Sequence, residues 1–144
     1  MKSKLINDGA QKTYVLVFET GEEVIKGITA FATAHSLNAS QLTAIGAFSE
    51  ALLGFFDFNI KDYKKIPVNE QVEVLSLNGD ITFKPEGGVQ AHIHTVLGKS
   101  DGIALGGHLL AAYVHPTLEV IITESPGHLY RKYDEKTCLA LIAI

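Results

Sequence analysis

One cysteine, one arginine and no tryptophan occur in these 144 residues, and each shortage closes off a class of protein. Cys138 stands alone and cannot form an internal disulfide, so the chain is expected to rely on burial and to work in the reducing cytoplasm. The sole arginine, Arg131, with a net charge of −4, leaves no basic stripe of the kind that neutralises phosphates. Direct DNA binding is therefore disfavoured. Lys61, Lys64 and Lys65, with Asp62 among them, come nearest and read as a solvated loop face. No apolar run approaches the roughly 20 residues that span a bilayer. Met1–Asp8 is basic but lacks the apolar core of a signal peptide, so no membrane partner is expected.

Apolar residues make up 47% and charged residues 19%, a globular balance that argues against disorder. A chain this long buries roughly 68–70% of its unfolded surface, enough for one domain over residues 1–144. Tyr14–Glu19 is rich in β-branched and aromatic residues and reads as a strand. Thr20 with Glu23 three residues on forms a capping box. Val24, Ile28, Phe31 and Ala32 then recur at helical spacing, predicting an amphipathic helix to about Leu37. His35 in its last turn suits the negative end of the helix dipole.

From Gln41 the pattern turns to strands. Leu42–Phe48 and Ala51–Phe58 are expected as separate strands, with bends at Gly46 and Gly54. Asn59–Pro67 reads as a polar connection. Val72–Leu77 alternates and meets Asn78-Gly79, a tight-turn signal. Ile81–Lys84 resumes until Pro85–Gly88. Val89–Leu97 and Ile103–Val114 flank a hairpin loop at Gly98–Gly102. Thr117–Glu124 follows a turn at His115-Pro116, and Leu139–Ile144 closes with an apolar edge. The expected class is α/β (α+β), a curved, mostly antiparallel sheet packed with one or two helices. So many strand edges favour oligomerisation as cover. Phe55, Phe56 and Phe58 read as core, with a pocket or subunit contact as the alternative. Tyr113 is equally ambiguous.

His92-Ile93-His94 carries the chemistry. Alternate strand residues share a face, so the two imidazoles project together while Ile93 points away. The following hairpin returns His108 to a neighbouring strand about 4.8 Å away, and Gly106-Gly107 leaves room for close backbone approach. Three imidazoles form the protein half of a tetrahedral zinc site with one open position; nickel, manganese, iron or cobalt fit the same donors. The same pattern is also what two polar residues on a solvated face would give. His115 and His128, beside prolines or glycine, read as exposed loop residues.

Several segments resemble the PPC family (plants and prokaryotes conserved): Ile45–Gly54, Val74–Gly79, Ala91–His94, Gly102–Leu109 and Arg131–Thr137. The resemblance spans most of the chain and departs from the family at Cys138, where glycine is expected after Thr137. It implies a mixed α/β fold, similar to that of acetolactate decarboxylase, and a homotrimer. It supports His92, His94 and His108 as metal ligands. The family is often labelled DNA-binding, largely through plant members with AT-hook segments, and this chain contains no such hook.

Three functions follow as expectations. The first is a homotrimeric metal-binding module with a DNA-associated role through partners. The second is a metal-dependent enzyme on a small oxygen-rich substrate, the metal polarising a carbonyl or generating hydroxide. Its catalytic candidates are Glu50 and Glu124 for proton handling and Arg131 as a fork for a substrate carboxylate. Against them stands the reading of Glu50 and Glu124 as exposed strand ends and of Arg131 as paired with Asp134. The third is a purely structural metal.

Overall fold

The β-rich patterning becomes nine strands and one helix in the computed structural model, which describes residues 1–144. In order these are β1 (Lys2–Asp8), β2 (Lys12–Glu19), α1 (Val24–Ala34), β3 (Ala39–Asp57), β4 (Asp62–Val68), β5 (Val72–Phe83), β6 (Val89–Gly98), β7 (Ala104–Glu124), β8 (Tyr130–Asp134) and β9 (Leu139–Ala143). All belong to one mixed sheet. Every ladder is antiparallel except the single parallel pairing of Phe83 with Tyr130, which joins β8 to β5.

Two long strands organise the sheet. β3 pairs with β5 through its first half and with β4 through its second, and runs beside β7 along both. β5 pairs with β6, and β6 with the start of β7. The circuit β3–β5–β6–β7 therefore closes on itself, which removes free edges from the strands that matter most. Inside lies an apolar core in which Leu16, Phe18, Ile28, Phe48, Leu53, Leu77, Ile93 and Leu118 are almost completely buried. Each such side chain contributes about 1.5–3 kcal/mol by leaving water. α1 supplies Val24, Ile28, Phe31 and Ala32 to that core, as their spacing predicts.

Four local expectations are corrected. The helix is capped by Glu23, whose carboxylate accepts from Ile25 N at 3.3 Å and Lys26 N at 2.7 Å. Thr20 donates instead to the Pro116 carbonyl, and Gly21, at φ 87°, is left-handed and outside a right-handed helix. Asn78-Gly79 is no turn but the middle of β5. The glycine is needed because a Cβ there would lie 2.4 Å from the His92 carbonyl oxygen. The real turn is Pro85–Gly88, closed by Lys84 N donating to Gly88 O. His115-Pro116 is likewise internal to β7. It falls where the pairing with β3 shifts register, the kind of irregularity that accommodates a proline within a sheet.

The fourth correction concerns the phenylalanines. Leu42–Asp57 runs without a break within β3, and its end runs past the core to pair with edge strand β4, with Phe58 in the turn between them. Phe55 and Phe58 are consequently 62% and 71% exposed, while Phe56 packs its ring against Phe58 and Tyr63. Asn59–Pro67 is mostly β4, with Lys61 solvated in the turn before it and Lys64 and Lys65 solvated but strand-borne rather than looped. Strands β1 and β8 carried too little apolar alternation to be anticipated. One helix forms, not two.

His35 is the C-cap of α1, its ring against Phe31 and Tyr14. His115 and His128 are exposed. Cys138 has φ 60°, the left-handed region in which glycine, expected there from the resemblance, is most at ease.

Candidate metal centre

The strand pleat places His92 and His94 on one face of β6 and Ile93, fully buried, on the other. The hairpin loop Lys99–Ile103 is closed by Lys99 N donating to Ile103 O and Gly102 N to Lys99 O. Its register sets His108 directly opposite His94. His108 also pairs with Gly54 on β3, so it sits where β7 leaves one neighbour for the other. Gly106 and Gly107 permit this crossing, since a Cβ on either would come within 2.9 Å of a carbonyl oxygen on the adjoining strand.

The three imidazoles converge. Nε2 of His92 and Nε2 of His94 are 3.2 Å apart, and one nitrogen from each of the three rings lies within 4.8 Å of the others. Two nitrogens on a tetrahedral zinc stand ~3.3 Å apart, as bond lengths of about 2.0–2.1 Å require. His108 Nδ1 is buried without a hydrogen-bond partner, a costly state for an imidazole nitrogen unless something else occupies it. Burial foremost, then the neighbouring imidazoles and Arg131, pushes His108 down to about 4. Burial and His92 lower His94 in the same direction. Both rings are neutral at neutral pH, the form that ligates a metal. The donor set, spacing and protonation fit a divalent transition ion.

Around the histidines stand residues that sequence reasoning missed. Asp80 lies directly opposite His92 across the β5–β6 ladder, with Oδ2 3.6 Å from His92 Nδ1. Burial alone would raise its carboxyl. Hydrogen bonding to His92 and Arg131, and the charge of both, outweigh that and hold it below the usual range. Tyr63 stacks on His108 with ring centroids 4.8 Å apart. Gly54 makes that possible, because a Cβ there would meet the Tyr63 ring at 2.7 Å. Burial raises the Tyr63 phenol.

A cavity of about 160 Å³ opens beside His92 and His108, lined also by Tyr63, Gln90, Arg131 and the stretch Leu139, Ala140 and Leu141. A second depression of about 260 Å³ lies on the His94 side, between Ser76, Asn78 and Gly106-Gly107.

Of the other sequence candidates, only Arg131 comes here. It pairs with Asp80 at 2.6 Å rather than Asp134, and its remaining contacts to Thr82 and the Ala140 carbonyl engage the fork. Glu124 lies at the α1–β3 junction, where its carboxylate accepts from the backbone of Asn38 and Ala39 and from Ser40. Glu50 is exposed on β3 opposite Tyr113, lining a separate depression. Neither glutamate borders the cavity beside the histidines.

Comparison with known proteins gives the family and the fold. The model of the Plants and Prokaryotes Conserved (PCC) domain matches residues 6–126. A metal-containing protein of Archaeoglobus fulgidus is 31% identical with a TM-score of 0.85, over 99% of this chain and 97% of that one. A plant- and prokaryote-conserved (PPC) protein of Pyrococcus horikoshii is 29% identical, with a TM-score of 0.86 over 99% and 95% of the two chains. A protein of Bacteroides thetaiotaomicron, described provisionally as DNA-binding, is 28% identical with a TM-score of 0.89 over 98% and 96%. A Staphylococcus aureus protein similar to alpha-acetolactate decarboxylase shares the fold at 16% identity and a TM-score of 0.54, over 84% of this chain and 53% of that one. No curated protein matches. No helix is long and apolar enough to cross a membrane. With the family model spanning most of its length, the chain belongs to the Plants and Prokaryotes Conserved domain family.

Proposed function

We propose that this protein is a homotrimeric binding module that holds one divalent transition metal, zinc in the first instance, on His92, His94 and His108. The observation that carries the reading is the convergence of three imidazole nitrogens within 4.8 Å of one another. The Archaeoglobus relative, described as metal-containing, supports it. Three ligands leave one tetrahedral position for an exogenous group, and the cavity beside His92 and His108 gives a small molecule access to it. Assembly is supported by an outer sheet face on which Ile45, Leu75 and Ile121 are 62%, 56% and 46% exposed, since contact surfaces commonly carry exposed apolar side chains grouped together. Any DNA-associated role runs through partners, because the net charge is −4 and the only arginine is 7% exposed, which leaves no basic stripe to neutralise a phosphate backbone.

Elemental analysis of the untagged protein beside a His92→Ala/His94→Ala variant tests the metal. About one transition ion per chain, absent from the variant, is the expected result. A wild type that stays metal-free after zinc addition and dialysis would sink the proposal. Sedimentation analysis tests the trimer.

A second reading, a metal-dependent enzyme on a small oxygen-rich molecule, is favoured by the same cavity. A bound metal would supply Lewis acidity. Tyr63, rather than Glu50 or Glu124, is the side chain placed to hold or deliver a proton there. Turnover of no compound in a screen of small oxo and hydroxy acids, with zinc bound, would leave the binding module standing.

A further inference from the structure

Arg131 is the most deeply buried charged side chain in the protein, and it joins three elements. Its Nη2 donates to Asp80 Oδ1 at 2.6 Å, Nε to Thr82 Oγ1 at 2.9 Å and Nη1 to the Ala140 carbonyl at 2.8 Å. One guanidinium on β8 thus grips β5 on one side and β9 on the other. The backbone attachment of the β8–β9 hairpin is slight by comparison. It consists of the Phe83–Tyr130 pairing, with Phe83 N donating to the Leu129 carbonyl and Leu129 N to that of Asn38. The hairpin in turn forms one wall of the cavity through Leu139, Ala140 and Leu141.

The other oxygen of Asp80 faces His92 Nδ1, while His92 Nε2 faces His94. An imidazole that ligates through Nε2 keeps its proton on Nδ1, and a carboxylate at that nitrogen fixes both tautomer and ring orientation. Arg131 Nη2 is also 3.2 Å from His92 Nδ1. A guanidinium N–H can donate to that nitrogen only when it carries no proton, a tautomer that leaves Nε2 protonated and unable to ligate. The two arrangements therefore demand different contacts from the same three side chains.

We propose that Asp80 and Arg131 are positioning residues that couple metal occupancy of the histidine site to docking of the β8–β9 hairpin. The inference rests on the metal reading above. With metal bound, His92 Nδ1–H donates to Asp80, and Asp80, with Thr82, holds Arg131 and so the hairpin to β5, while the bond to Ala140 keeps β9 against β8. Coupling of this kind is reciprocal. The factor by which the docked hairpin raises metal affinity is the factor by which metal favours docking.

The test uses the full chain, its Asp80→Asn variant and the double variant Asp80→Asn/Arg131→Met, which leaves no buried carboxylate without its cation. Zinc affinity is read by competition with a chromophoric chelator, and amide exchange of residues 130–143 is followed with and without zinc. Zinc is expected to slow exchange in β8–β9 of the wild type. Both variants should bind zinc roughly 10–100-fold more weakly and lose the zinc-dependent protection of the hairpin. Their metal-free exchange in β3, β5 and β7 should match the wild type, which a merely structural role would not leave untouched. Variants that bind zinc as tightly as the wild type, or a wild-type hairpin indifferent to bound zinc, would overturn the coupling and leave the metal site intact. A wild type that binds no zinc would remove the site and the coupling together.

Discussion

The two faces of β6 are made from alternate residues of one strand, and they obey different rules. Ile93, Thr95 and Leu97 face inward and are buried almost completely; the backbone and shape complementarity satisfy them. Gln90, His92, His94 and Val96 face outward, and the two histidines among them meet His108 of β7, whose Nδ1 is buried without a protein partner. The inner face is complete as folded. The outer face gathers three imidazoles that the packing does not need, and the contrast separates residues that hold the fold from the candidate site residues.

That contrast can be broken from either side. The largest effect is expected from Ile93→Ala, which should cost about 2–5 kcal/mol of stability by opening a cavity. The loss should be the same with and without chelator in urea titrations. Metal dependence of that loss would show that the two faces are not separable. Removing metal from the wild type by chelation should cost about 2.7 kcal/mol when the free ion had stood at a hundredfold its Kd, read as a fall in Tm. His92→Ala/His94→Ala should show no such fall.

Glu124→Ala tests a residue remote from both faces. It removes the acceptor for Asn38 N, Ala39 N and Ser40, so stability should drop by about 1–3 kcal/mol with zinc affinity unchanged. A change in affinity would return Glu124 to the site. The smallest effect belongs to Cys138→Gly. Relief of a left-handed backbone, worth roughly 1–2 kcal/mol, is partly offset by the chain entropy of glycine at roughly 0.5–1 kcal/mol, so a slight gain in Tm is expected. A clear loss would mean that the thiol makes contacts beyond the Glu135 carbonyl.

Much of the outer face was legible in the sequence because its logic is local. His-x-His on a strand and a short hairpin returning His108 depend only on the pleat and on loop length. The residues that support the histidines were hidden by a misplaced turn. Taking Asn78-Gly79 as the bend separated Asp80 from β5. With the bend at Pro85–Gly88, equal steps back from Phe83 and forward from Val89 bring Asp80 opposite His92. That count was available in the sequence, whereas the glycine's true reason, close passage of the His92 carbonyl, was not. Tyr63 was hidden for another reason. It sits on an edge strand among charged residues, and only the pairing of β4 with the far end of β3 carries it over His108. Arg131 stands out in the sequence as the sole arginine, but sequence neighbours point to the wrong partner for it. A tertiary contact with Asp80 replaced the local one with Asp134.

The closed circuit of strands also determines which changes in chain length the protein can absorb. His108 is paired on one side with His94 and on the other with Gly54, so its position is specified twice. Added residues between Lys99 and Ile103 lengthen a solvent-facing loop and leave both pairings in register, at a closure cost that grows only logarithmically. One residue added between Ala104 and His108 must either be expelled as a bulge or turn the imidazole to the opposite face. Length variation is thus cheap at the tip of this hairpin and disruptive a few residues along it.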